Sequence, residues 1–181
     1  ESRGLGDVYK RQGALGTSVL KLFNLTAAST GLNEKQARAA GVAYDKVVTY
    51  SASHASYYPG ARNMTVKTLF DPASGRILGA QIVGFDGVDK RMDVLAAAIR
   101  AGLTAEQLTE LDLAYAPPYG SAKDPVNMAG YVIENVRAGL VEQHHWDAVA
   151  ELPADGSVIL LDVRTPGEVR KQGLLRSDAL H

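Results

Sequence analysis

Between Met64 and Phe85 two apolar runs, Met64–Phe70 and Arg76–Phe85, flank the five-residue stretch Asp71-Pro72-Ala73-Ser74-Gly75. An Asp-Pro…Gly loop between two β-prone runs specifies an antiparallel hairpin, because proline presets the turn and glycine takes backbone angles closed to other residues. That hairpin commits the chain to an antiparallel sheet, and the remaining elements must be built against it. Tyr44–Ser51 reads as a further strand. Thr17–Ala28 (TSVLKLFNLTAA) is apolar, β-branched and aromatic, with Asn24 interrupting it, and reads as a strand. Asn33 is an N-cap for a short helix over residues 34–40 closed by Gly41. Val88–Ala101 places Val88, Met92, Leu95 and Ile99 on one helical stripe, with Gly102 in the C′ position. Thr104-Ala-Glu-Gln107 is a capping box opening a short helix, and Pro125–Leu140 is the third helix of this part of the chain. Ala129 and Gly130 on that helix permit close approach of another backbone, from the same chain or from a second subunit.

A different grammar begins near residue 143. Trp146–Leu152 is a short helix, Ser157–Asp162 is an almost wholly apolar run of the kind that forms a buried parallel strand, and Val163–Glu168 leads into another helix. Residues 1–12 have no periodicity and are expected to be a non-native or disordered leader. The expected organisation is therefore a leader over 1–12, a domain over 13–142 and a partial α/β segment over 143–181. The fold class is α+β: a mainly antiparallel sheet with about three helices, then that partial segment.

Composition removes several function classes. The formal net charge of −1 offers no electrostatic case for nucleic acid or an anionic membrane. No apolar run approaches the roughly 18–20 residues of a membrane helix. Cysteine is absent, so the chain holds no disulfide, thiolate metal ligand or cysteine nucleophile of its own. His144-His145 points in two directions on any regular element and has no third ligand in register, so no metal site is expected.

The stretch Tyr115-Ala-Pro-Pro-Tyr119…Lys123-Asp-Pro125 concentrates the chemistry. Two prolines stiffen the backbone, two phenols flank them, and an ammonium precedes a helix that Pro125 starts. The pattern fits a surface built to meet a ligand, and it fits a connector whose tyrosines simply pack.

Several blocks, in order, carry a resemblance: Gly16-Thr17…Lys21-Leu-Phe23…Ser29-Thr-Gly-Leu32, His54-Ala…Tyr57-Tyr-Pro-Gly-Ala61, Gly87-Val-Asp-Lys-Arg91, and Tyr115-Ala-Pro-Pro-Tyr119…Lys123-Asp-Pro-Val-Asn127. Over residues 13–142 the chain resembles the C-terminal dimerisation domain of FAD-dependent pyridine nucleotide-disulfide oxidoreductases, in the coenzyme A-disulfide reductase and NADH oxidase branch. Residues 143–181, with Leu160-Leu-Asp-Val-Arg164…Pro166-Gly-Glu168, resemble the truncated start of a rhodanese domain, in which Asp162 and Arg164 orient a loop.

The resemblance implies a homodimer, FAD and NAD(P)H in a parent enzyme, and a coenzyme A disulfide or related thiol substrate, in the cytoplasm. It implies that Tyr57 and Tyr115 are catalytic, that Tyr115 approaches the FAD of the partner subunit, and that Lys123, Tyr58 and Tyr119 contact substrate. Tyr58 and Tyr119 fit packing equally well, and His54 beside them reads as a structural hydrogen bonder. The glycine-rich dinucleotide turn and both expected active-site cysteines are missing, so the chain alone is expected to bind no cofactor and to be inactive. The alternative is a free-standing homodimerisation or interaction domain with no catalytic role.

Overall fold

The computed structural model describes residues 13–174, 176, 179 and 180, which form two compact units divided between Val141 and Glu142. The leader expected over residues 1–12 lies outside the described residues.

The first unit is built on a five-stranded antiparallel sheet in the order β1-β2-β5-β4-β3. The strands are β1 (Ser18–Leu22), β2 (Leu25–Gly31), β3 (Asp45–Ala52), β4 (Asn63–Phe70) and β5 (Ile77–Gly84). The expected hairpin is present, with Thr65 opposite Val83 and Val66 opposite Ile82. Asp71 organises its loop: the backbone N–H of Gly75 donates to the Asp71 carbonyl at 2.8 Å, and the Ala73 N–H donates to Oδ1 at 2.8 Å.

Strand periodicity assigns the faces. Met64, Val66, Thr68 and Phe70 of β4, with Ala80 and Ile82 of β5, are buried on one side. Against them pack α2 (Val88–Ala101), α3 (Ala105–Thr109) and α4 (Pro125–Arg137), contributing Val88, Met92, Leu95, Leu108, Val126 and Ile133 to a single core. The alternate positions Lys46 of β3 and Lys67 of β4 face the other way, where α1 (Glu34–Ala39) lies. There the Glu34 carboxylate accepts from Lys46 at 3.1 Å and from Lys67.

One expected strand is two. Thr17–Ala28 is divided by a turn at Phe23-Asn24, and Leu22 pairs with Leu25 across the resulting β1–β2 hairpin. Phe23 makes the reversal in the left-handed region at φ 54 and is 91% exposed, and β1 is exposed along its whole length. The apolar run was too long for one strand because it supplies both arms of an edge hairpin. The small residues Ala129 and Gly130 serve packing within the chain. A Cβ on Gly130 would lie 2.7 Å from the carbonyl oxygen of Ala105 and 2.9 Å from Cγ2 of Thr109, so α3 occupies that space.

In the second unit a 3-10 helix covers Trp146–Glu151 and α5 covers Pro166–Gln172, capped by Thr165 and Glu168 in a reciprocal box. Ser157–Asp162 is not the expected buried strand. Leu161 makes one isolated parallel bridge to Leu180, and Ile159 and Leu161 are 71% and 68% exposed. A parallel strand is buried only when ladders and helices cover both edges and both faces; among the described residues of this unit a single bridge does so. Arg164 clasps Asp162 through Nε at 2.9 Å and Nη2 at 2.6 Å, and donates to the Gly173 carbonyl, holding the loop before α5.

Candidate functional site

Two loops of the first unit carry all five singled-out residues. The β3–β4 loop bears Tyr57 and Tyr58, and the α3–α4 loop bears Tyr115, Tyr119 and Lys123. Each is shaped by its own backbone. Ser53 and Arg62 pinch the neck of the first: the Ser53 N–H donates to the Arg62 carbonyl at 2.9 Å, and the Arg62 N–H donates to Ser53 Oγ at 3.2 Å. In the second, the N–H groups of Tyr119 and Gly120 both donate to the Ala116 carbonyl, closing a turn around Pro117-Pro118. The Ala55 N–H then donates to the Gly120 carbonyl at 2.9 Å and joins the two loops.

Beneath that junction sits Arg91, 1% exposed, paired with Asp124, 4% exposed. Its Nη2 donates to Asp124 Oδ2 at 2.9 Å and its Nε to both carboxylate oxygens at 3.1 and 3.3 Å. The same guanidinium donates to three carbonyls, those of Ser53 at 2.9 Å, Gly87 at 3.2 Å and Tyr119 at 3.4 Å. Asp124 is also the N-cap of α4, accepting from the Val126 N–H at 3.1 Å, and Asn127 completes the box by accepting from the Asp124 N–H. The amide of Asn127 in turn donates to the Leu108 and Leu111 carbonyls, tying the start of α4 to α3. A buried charge is tolerable when paired and hydrogen-bonded, and here all three guanidinium nitrogens have an acceptor.

On this base the hydroxyls of Tyr57 and Tyr115 meet at 3.4 Å, fifty-eight residues apart in sequence. Both rings remain open to solvent, 75% and 50% exposed. The bond with Tyr115, more than desolvation and the charge of a neighbouring phenolate, pushes the Tyr57 hydroxyl above the ordinary tyrosine value. Either hydroxyl of the pair can donate to the other.

Beside the pair opens a cleft of about 610 Å³ lined by His54, Asp86, Lys90, Tyr115, Pro118 and Tyr119, among others. Tyr119 stands on its wall. Tyr58 is turned instead to His54, whose ring it meets edge-on at 5.8 Å. Lys123 lies outside the cleft lining, its exposed ammonium 4.6 Å from the centre of the Tyr131 ring. So Tyr57 and Tyr115 converge, Tyr119 shares the cleft with Tyr115, and Tyr57, Tyr58 and Lys123 are outside its lining. His54 keeps a structural bond, Nδ1 to the Ala55 carbonyl at 3.2 Å, while also lining the cleft.

Sequence reasoning missed Arg91 and the second role of Asp124. A signal existed. Arg91 falls between Val88 and Leu95 on the buried face of α2, where a cation requires an anion, and Asp124 is the acid that caps the next long helix. Among the described residues no three His, Cys, Asp or Glu side chains converge to hold a metal ion, and no helix is long and apolar enough to cross a membrane.

Comparison with known proteins places the chain. Residues 17–125 match the model of the pyridine nucleotide-disulphide oxidoreductase dimerisation domain. The coenzyme A disulfide reductase of Staphylococcus haemolyticus (strain JCSC1435) is 45% identical over 120 residues, which are 66% of this chain and 27% of that protein. A Staphylococcus aureus coenzyme A disulfide reductase (strain bovine RF122 / ET3-1) is 40% identical over 125 residues, 69% of this chain and 28% of its own length. Among solved structures, reduced Bacillus anthracis CoADR-RHD superposes with a TM-score of 0.82 at 49% identity, covering 87% of this chain and 28% of that one. An NAD-dependent persulfide reductase from A. fulgidus superposes with a TM-score of 0.81 at 40% identity, covering 93% and 30%. The chain thus spans little more than a quarter of the relatives it matches. With its antiparallel sheet, its three-helix cover and a family match across most of the first unit, the chain belongs to the pyridine nucleotide-disulphide oxidoreductase dimerisation-domain family.

Proposed function

We propose that this chain is the dimerisation part of a homodimeric flavin-dependent NAD(P)H oxidoreductase that reduces coenzyme A disulfide or a related disulfide or persulfide. In this reading Tyr57 and Tyr115 enter the partner subunit's active site. The observation that carries it is the meeting of two solvent-open phenols on loops anchored by a buried ion pair, in a chain 45% identical to a coenzyme A disulfide reductase. The similarity to a persulfide reductase supports the wider sulfur-substrate class.

The geometry suits a half-site. Tyr115 lines an open cleft, not an enclosed nucleotide cradle, and both phenols are open to solvent, so the pair fits the edge of a flavin and substrate presented by another subunit. FAD, when bound in the parent, supplies electron transfer from NAD(P)H to sulfur. Reduction of a disulfide cleaves the S–S bond and takes up two electrons and two protons, giving two thiols. A departing thiolate needs a hydrogen-bond donor or a proton, and a phenol whose proton is held firmly supplies the first without becoming a base. Lys123, exposed beside the Tyr131 ring, is the cation available to a phosphate of coenzyme A. The segment from Glu142 onward is read as rhodanese-like, on Leu160–Arg164 and Pro166–Glu168. The A. fulgidus match, covering 93% of the chain, reaches into this segment, since residues 1–141 alone cannot supply that coverage.

The test is turnover with coenzyme A disulfide in a flavoenzyme carrying this sequence as its dimerisation domain. Tyr115→Phe and Tyr57→Phe are expected to lower kcat by about 10²-fold, the low end for a lost hydrogen-bond donor to developing negative charge. Unchanged kcat in both variants overturns the catalytic reading and leaves the free-standing interaction domain.

A further inference from the structure

Arg91 is the largest fully buried side chain in the described residues. It sits on the core face of α2, where a hydrocarbon would stabilise the domain with no desolvation cost. Its bonds go to four separate segments: Asp124 at the start of α4, Gly87 at the start of its own helix, Ser53 at the neck of the Tyr57 loop, and Tyr119 in the Tyr115 loop. Apart from the Ala55–Gly120 backbone bond and the Tyr57–Tyr115 hydroxyl contact, this guanidinium is what joins the two tyrosine loops. The tips of the loops lack apolar anchors, since residues 56–60, Ala114, Tyr115, Pro118 and Tyr119 are all exposed, while Ala55, Leu111 and Leu113 pack only at their bases.

We propose that Arg91 is a positioning residue: by bonding the Ser53 and Tyr119 carbonyls while paired with Asp124, it holds the two loops at the separation at which the Tyr57 and Tyr115 hydroxyls meet. Lysine cannot replace it. A planar fork donates in several fixed directions at once, whereas a single ammonium that reaches Asp124 cannot also span Gly87, Ser53 and Tyr119. The functional weight of this positioning rests on the half-site reading above, but the positioning itself is a property of this chain alone.

Gly87 provides a second handle. It stands at φ 67, and a Cβ there would lie 2.1 Å from Arg91 Nη1 with no other group but that guanidinium in the way. Gly87→Ala therefore displaces the guanidinium while leaving Arg91 and Asp124 in the sequence.

The experiment is an NMR titration of the chain labelled with ¹³Cζ-tyrosine, with Tyr57 assigned through Tyr57→Phe. In the parent chain Tyr57 is expected to titrate above the ordinary tyrosine value of about 10, and a parent midpoint at that value overturns the proposal. In Arg91→Lys and in Gly87→Ala its midpoint is expected to fall back toward that value, while the amide spectrum of the β4–β5 hairpin is unchanged. Gly87→Ala decides if Arg91→Lys does not fold. An unshifted Tyr57 midpoint in a folded variant of either kind overturns the proposal. Neither result depends on turnover, so loss of the positioning role and loss of the catalytic reading are told apart by this titration and the kcat measurement.

Discussion

Replacing Asp124 with alanine strands the Arg91 guanidinium in a site where it is 1% exposed. The Coulomb partner goes, three charge-assisted contacts between 2.9 and 3.3 Å go with it, and α4 loses the side chain that caps Val126. Removing one partner of a buried ion pair costs about 3–5 kcal/mol, and losing an N-cap costs about 1 kcal/mol. The two overlap, because the same carboxylate serves both. A loss of about 4 kcal/mol is expected, a large share of the roughly 5–15 kcal/mol that holds a domain folded. Asp124→Asn keeps an oxygen for the cap and removes the charge, so its cost should be smaller. The informative comparison is the double variant Arg91→Met/Asp124→Ala. With no charge left to strand, it should be more stable than Asp124→Ala alone, an inversion that additive surface pairs never show. Urea unfolding followed by far-UV circular dichroism or tyrosine fluorescence is the assay; Trp146, the lone tryptophan, belongs to the second unit and does not report on this pair. A cost below about 1 kcal/mol for Asp124→Ala at unchanged m, or a double variant less stable than the single, refutes the reasoning, because water would then be reaching Arg91.

Three other perturbations follow from named contacts. Desolvation would raise the Glu34 pKa, but the hydrogen bonds from Lys67 and Lys46 outweigh it and hold the carboxyl at about 2. Its folded value is depressed, so its contribution is complete above the unfolded value near 4.5 and is lost as pH falls toward 2. The stability gap between the parent chain and Glu34→Gln, at most about 3 kcal/mol at neutral pH, should close across that window; a gap independent of pH refutes it. Gly130→Ala pushes a methyl against the Ala105 carbonyl at 2.7 Å, so α3 must shift, at a cost of about 1–3 kcal/mol in thermal unfolding. Phe23 sits exposed in a left-handed conformation that suits asparagine better. Phe23→Asn should raise stability by up to about 1 kcal/mol, and a loss would mean the phenyl ring is packed.

Much of the first unit was legible because its signals are local. The Asp71–Gly75 loop, the 3.6-residue stripe of α2 ending at Gly102, the Thr104 box and the Pro125 start act over a few residues each and behave as written. The turn at Phe23-Asn24 was not legible, because the run on either side stays apolar and the residue that reverses it is not one that favours φ > 0. The fate of Ser157–Asp162 was not legible either: its residues satisfy the rule for a buried strand, and only its neighbours decide whether such a run is covered.

The candidate site divides along the same line. Sequence alone determined that the tyrosine-bearing stretch is stiff, that a helix begins at Pro125 and that no thiol chemistry originates in this chain, since proline geometry and residue identity are properties of the chain itself. Only the tertiary structure decided that Tyr57 meets Tyr115 while Lys123 stands apart, and that a buried arginine on α2 lies under both loops. Those contacts join residues from 28 to 58 positions apart, and bonds over such separations are set by how the sheet and helices pack, which no local pattern encodes.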